Sequence, residues 1–95
     1  MTVYPTYTHW SAYYEGRRAG LKHAHPFTDA KKVRYSSTWE RPVEVEVRIN
    51  GDLWLDIWFA ADAAVRATQD DHHVAIESFR PDPGDPTVLI LSTGS

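Results

Sequence analysis

The chain has 95 residues, no cysteine, a net charge of −3, 42% hydrophobic residues and 24% charged residues. This is the composition of one small globular domain and gives no indication of disorder, and the lack of cysteine excludes a disulfide scaffold, thiolate metal sites and thiol catalysis. No apolar run is long enough to cross a bilayer, and the stretch from Met1 to Tyr7 lacks the charge and apolar length of a signal peptide, so a cytoplasmic protein is expected.

The net charge conceals a division. Residues 1–42 hold seven basic side chains (Arg17, Arg18, Lys22, Lys31, Lys32, Arg34, Arg41) against three acidic ones, and residues 43–95 hold three basic against ten acidic. Eight of the twelve aromatic residues, Tyr4 among them, also precede residue 43. One domain over 1–95 is therefore expected to join a basic, aromatic segment to an acidic one.

In chain order, Trp10, Tyr13, Tyr14, Arg17 and Leu21 recur at three- and four-residue spacing, which predicts a helix over 9–25 that Pro26 ends. Gly16 and Gly20 oppose it at about 1 kcal/mol each relative to alanine. A second short helix is expected over 29–35.

Residues 43–59 alternate. Val43, Val45, Val47, Leu53, Leu55, Ile57 and Phe59 fall on one side, and Glu44, Glu46, Arg48, Trp54, Asp56 and Trp58 on the other. Two strands joined around Asn50-Gly51 follow from this. A two-residue loop would mix the two sides in every pair, whereas a three-residue loop, 49–51, sets Val47 opposite Leu53 and puts Gly51 in the left-handed bulge position.

Residues 61–69 are rich in helix formers, with Asp62 suited to the N-terminal end. Residues 72–79 and 87–92 read as strands, and Val88 to Leu91 are apolar on both faces, as a central strand requires. Three prolines and a glycine in 80–86 predict an irregular connector. The resulting expectation is an α+β fold: an N-terminal helical segment followed by ββαββ, with a mostly antiparallel four-stranded sheet packed with helices.

The tryptophans on the charged side of 43–59 pose the functional question. Either the N-terminal helix covers Trp54 and Trp58, or they stand exposed among acidic residues as a binding hot spot. The second alternative makes Glu44, Glu46, Trp54, Asp56 and Trp58 the candidate contact surface for a basic partner protein. A non-enzymatic regulator, inhibitor or adaptor of the kind that phages and mobile elements carry is the corresponding function, with homodimerisation as a further use of an uncovered face.

The alternative reading is RNA or single-stranded nucleic-acid binding through Arg17, Arg18, Lys22, Lys31, Lys32 and Arg34, interleaved with aromatic residues that can stack on bases. A second alternative is a histidine-based metal enzyme using His23 and His25, or Asp70, Asp71, His72 and His73, although neither spacing matches a metal signature. No nucleophile elbow, phosphate loop or placed carboxylate pair is present, so no catalytic residue and no cofactor is expected.

Overall fold

A computed structural model of the chain describes residues 6–95. Tyr4, counted among the N-terminal aromatics, lies outside them. The described residues form β1 (His9–Trp10), β2 (Tyr13–Tyr14), β3 (Arg17–Arg18), β4 (Lys32–Ser37), β5 (Val43–Arg48), α1 (Trp54–Thr68), β6 (Ala75–Asp82) and β7 (Asp85–Gly94). Five strands make one mixed sheet in the order β1-β6-β7-β4-β5, and β2 and β3 make a separate two-stranded ribbon. β4 runs antiparallel to β5 and β6 to β7, while β7 runs parallel to β4 and β1 to β6.

This architecture corrects the expected one. The N-terminal helix is absent among the described residues; 9–25 instead supplies β1 and the β2–β3 ribbon. Glu15 and Gly16 connect that ribbon with φ of 53° and 76°, the signs of a type I′ two-residue turn. The Gly16 that weakened a helix is thus the residue a tight turn selects. The second expected helix, 29–35, is replaced by β4, whose alternation of Val33, Tyr35 and Ser37 inward suits a strand.

The hairpin expected over 43–59 is also corrected. β5 ends at Arg48, 49–53 is a loop, and 54–59 opens a fifteen-residue helix that begins seven residues before the expected 61. Trp54, Ile57, Trp58, Ala61, Ala64, Val65 and Thr68 recur at three- and four-residue spacing and are all buried. A 3.6-residue stripe seven positions long outweighs an alternation that holds for only four.

The helix start is held from elsewhere in the chain. The amides of Trp54 and Leu55 donate to the carbonyls of His23 and Leu21, both at 3.0 Å, and the Asp56 carboxylate accepts from the Leu53 amide at 3.0 Å. N–H groups that no helical carbonyl can reach are satisfied in this way. Gln69 closes the helix in a left-handed conformation, φ 60°.

The 80–86 connector is more regular than expected. It is the end of a hairpin, with Pro81 paired to Leu89 in β6 and only Pro83 and Gly84 between the strands. β1 reaches β6 only at Ala75 and Ile76, so the Pro81 end of β6 is an open edge where a missing N–H removes no ladder bond. β7 does occupy the centre of the sheet.

α1 covers one face of that sheet. Val33, Tyr35, Ile76, Leu89 and Leu91 point towards Ile57, Ala61, Ala64 and Val65. The alanines let the helix lie close. Trp10, Trp54, Trp58 and Phe79 fill the β1–β6 side, with ring centroids 5.8 to 6.4 Å apart. The opposite face is charged: Arg34 bridges Glu46 and Asp82 at 2.9 and 2.7 Å, and Lys32 meets Glu46 at 2.9 Å.

Candidate functional site

Trp54 and Trp58 are 5% and 8% exposed. They belong to the core because successive turns of α1 aim both at the sheet. The N-terminal segment does contact Trp54, through Trp10, Tyr14, His25 and Phe27, but as strands and turns rather than as a helix. Glu44 and Glu46 point from β5 to the charged face of the sheet, and Asp56 caps α1. The five residues grouped by alternation therefore form no common surface. Phe59, expected in the core, is 40% exposed.

The alternative basic set is divided as well. Arg17 and Arg18 lie on the β2–β3 ribbon opposite Tyr14 and Tyr13, which are 42% and 57% exposed. Lys22 is exposed in the following turn. Lys31 and Lys32 line an open depression of about 720 Å³ beside Arg48 and Asp52. Arg34 is held between Glu46 and Asp82. Of this set, Arg17 and Arg18 are the cations that pair with exposed aromatic residues.

A polar cluster surrounds Asp70, 1% exposed, at the exit from α1. Its carboxylate accepts from the Ser37 hydroxyl at 2.7 Å, the Tyr35 hydroxyl at 3.2 Å, the amides of His72 and His73 at 3.0 and 2.9 Å, and the His73 ring at 3.0 Å. Desolvation pushes this carboxyl up; the Ser37, His73 and His72 hydrogen bonds overcome it and hold the group well below the usual carboxylate range. Burial pushes the Tyr35 phenol up.

The cluster lines a cleft of about 280 Å³. Ser37 donates to Asp70 and makes no bond to His73, so no activated hydroxyl results. What the cluster does is fasten β4, the α1–β6 loop and, through Tyr35 and Thr93, β7. His72 stacks on Trp39 at 4.4 Å. His25 accepts from the Phe27 amide. Among the described residues no three histidine or acidic side chains converge where a metal ion could sit.

The open edge of β5 has different properties. The amide of Ile49 donates to the carbonyl of Lys31, 2.8 Å away, and the unbroken β4–β5 register extends that pattern. Val47, Val45 and Val43 thus turn their backbone groups towards β4, and Glu44, Glu46 and Arg48 turn theirs away from the sheet. Beside the edge, Val43, Val45 and Val47 are half-buried, and a groove of about 260 Å³ runs between Val47 on β5 and Phe59 and Ala63 on α1. Lys32 and Arg34 hold the Glu46 carboxyl below its ordinary value, so the acidity of this edge is already partly neutralised.

Alternation alone could have marked β5, but not its place at the edge, which strand order decides. No family model, curated protein or solved structure matches the chain. No helix among the described residues is long and apolar enough to cross a membrane.

Proposed function

We propose that the protein is a non-enzymatic protein-binding module, a small regulator, inhibitor or adaptor, which binds an extended strand of protein along β5. The observation that carries this reading is the row of outward backbone groups at Glu44, Glu46 and Arg48 beside a groove in which Val47, Phe59 and Ala63 lie next to Arg48, Asn50 and Asp56. Strand addition to a sheet edge takes its affinity from main-chain hydrogen bonds and its specificity from pockets for alternate side chains. Within its six residues β5 has no proline, bulge or inward-pointing charge; the charges it carries, Glu44, Glu46 and Arg48, lie on the face away from α1.

The test compares two changes at one position. Glu46→Ala removes the side chain, and Glu46→Pro also removes the outward N–H without touching the β4 ladder. Peptides selected from a random library against the folded protein should bind the alanine variant like wild type and the proline variant at least about tenfold more weakly. Equal binding to both would place the contact elsewhere.

A second reading rests on the ribbon. Tyr13 and Tyr14 are exposed directly opposite Arg18 and Arg17, the arrangement that stacks bases and neutralises phosphates in single-stranded nucleic acid. Its affinity for a labelled oligonucleotide would fall steeply with salt and be lost in Tyr13→Ala/Tyr14→Ala. Salt-independent binding would remove this reading.

A further inference from the structure

The edge of β5 is complementary to itself, and we infer that its occupant is a second copy of this chain, paired antiparallel about Glu46. The inference rests on the strand-addition reading and names the partner.

The outward residues of β5 are Glu44, Glu46 and Arg48. Two such edges related by a two-fold axis through Glu46 place Glu44 of each copy opposite Arg48 of the other, and Glu46 opposite Glu46. All three outward residues then exchange both backbone hydrogen bonds with the facing copy, since these are the hydrogen-bonded positions of an antiparallel ladder. On the helix-covered face Val45 meets Val47 of the other copy, so apolar sides stay together as strand parity requires. The five-stranded sheets join into one continuous sheet with both α1 helices on the same face.

The charges select this register. Arg48 stands opposite Lys32 in the β4–β5 pair, a like-charge contact, and among the described residues no carboxylate lies within ion-pair reach of it. Glu44 accepts a hydrogen bond from the Ser36 hydroxyl at 3.1 Å and makes no ion pair among the described residues. Self-pairing brings these two groups together at two symmetric places. Glu46, which would face its own copy, is the residue already neutralised by Lys32 and Arg34. A shift by two residues one way sets Glu44 against Glu46 and leaves Arg48 alone. A shift the other way gives Arg48 the already satisfied Glu46 and leaves Glu44 outside the ladder.

One strand pair flanked by three valines and Phe59 is a small interface, under about 1,200 Å², so the dimer forms and dissociates with concentration. Light scattering and sedimentation of the full chain from about 1 µM to 1 mM should show a monomer–dimer equilibrium. Glu44→Arg and Arg48→Glu should each weaken it roughly tenfold or more, because each turns two attractions into two repulsions. The double variant should restore it. The two single variants should also associate when mixed, since position 44 of each copy then faces an opposite charge at position 48 of the other.

Wild type that stays monomeric throughout the range overturns the inference, as does a dimer indifferent to these reversals and to Glu46→Pro. In the first case peptides that distinguish Glu46→Pro from Glu46→Ala would still uphold strand addition. If both fail, the edge itself is not the site.

Discussion

Asp62 and Thr8, 54 positions apart, are joined by two hydrogen bonds: Asp62 Oδ1 accepts from the Thr8 amide at 2.7 Å and from its hydroxyl at 2.8 Å. The same oxygen accepts from the Tyr7 amide at 2.6 Å, and the Thr8 hydroxyl in turn accepts from the Trp58 indole at 3.0 Å. A carboxylate in the middle of a helix therefore fixes where the N-terminal segment enters the fold.

Asp62→Ala should cost about 2 to 4 kcal/mol, since it leaves two amides and a buried hydroxyl without an acceptor. Chemical denaturation would measure the loss. Asp62→Asn, which keeps one acceptor oxygen, should cost less. An alanine variant as stable as wild type would show that the N-terminal segment contributes little to the fold.

Asp70 should set the acid limb of stability. Its folded-state pKa is depressed, so its contribution is complete above the ordinary carboxyl value of 3.8 and is lost as pH falls below that towards the folded value. Urea midpoints followed from pH 6 to pH 2, about the range a carboxyl spans, should fall for wild type and be flatter for Asp70→Asn. Parallel curves would mean that other carboxylates drive acid unfolding.

Tryptophan emission should divide by position. Trp39, 39% exposed, is open to acrylamide, whereas Trp10, Trp54 and Trp58 are buried. Trp39→Phe should remove most of the quenchable emission, and Trp54→Phe/Trp58→Phe should remove blue-shifted emission. Strong quenching that persists in Trp39→Phe would be incompatible with the helical core.

The turn of the ribbon offers a backbone test. No atom lies near a Cβ added to Gly16, so Gly16→Ala should cost only the strain of a positive φ, about 1 kcal/mol. Glu15→Asn should be neutral or stabilising by ~0.5 kcal/mol, since asparagine tolerates the left-handed region at the first turn position. Thermal unfolding of both variants would check the signs; a Gly16→Ala variant without loss would argue against the I′ turn.

Gly51 is constrained by space as well. A Cβ there would collide with the Asp56 carboxylate, which caps the Leu53 amide. Gly51→Ala should destabilise by about 1 to 2 kcal/mol through loss of the cap, with less α1 helicity in circular dichroism.

Several features were legible in the residues alone. Val43 to Arg48 alternates and is a strand, Val88 to Leu91 is apolar on both sides and lies in the central strand, and residues 61–68 are helical. The seven-residue stripe from Trp54 to Thr68 was present too, but residues 53–59 satisfy a two-residue period as well. Short apolar runs do not distinguish the two periods. The N-terminal third misled for a related reason: three- and four-residue recurrences of aromatics arise by chance in a segment so rich in them, while Glu15-Gly16 carried the turn.

What the sequence determined by itself is the charge division, the absence of thiol chemistry, and the local periods that make β5, β7 and the body of α1, since each depends on neighbours along the chain. What only the tertiary structure decided is which strand is the edge, that Trp54 and Trp58 are core, and that Asp62 and Asp70 are buried anchors. These depend on contacts between residues as far apart as Thr8 and Asp62. A side chain's local pattern gives the direction it points; only the packed whole fixes what it meets there.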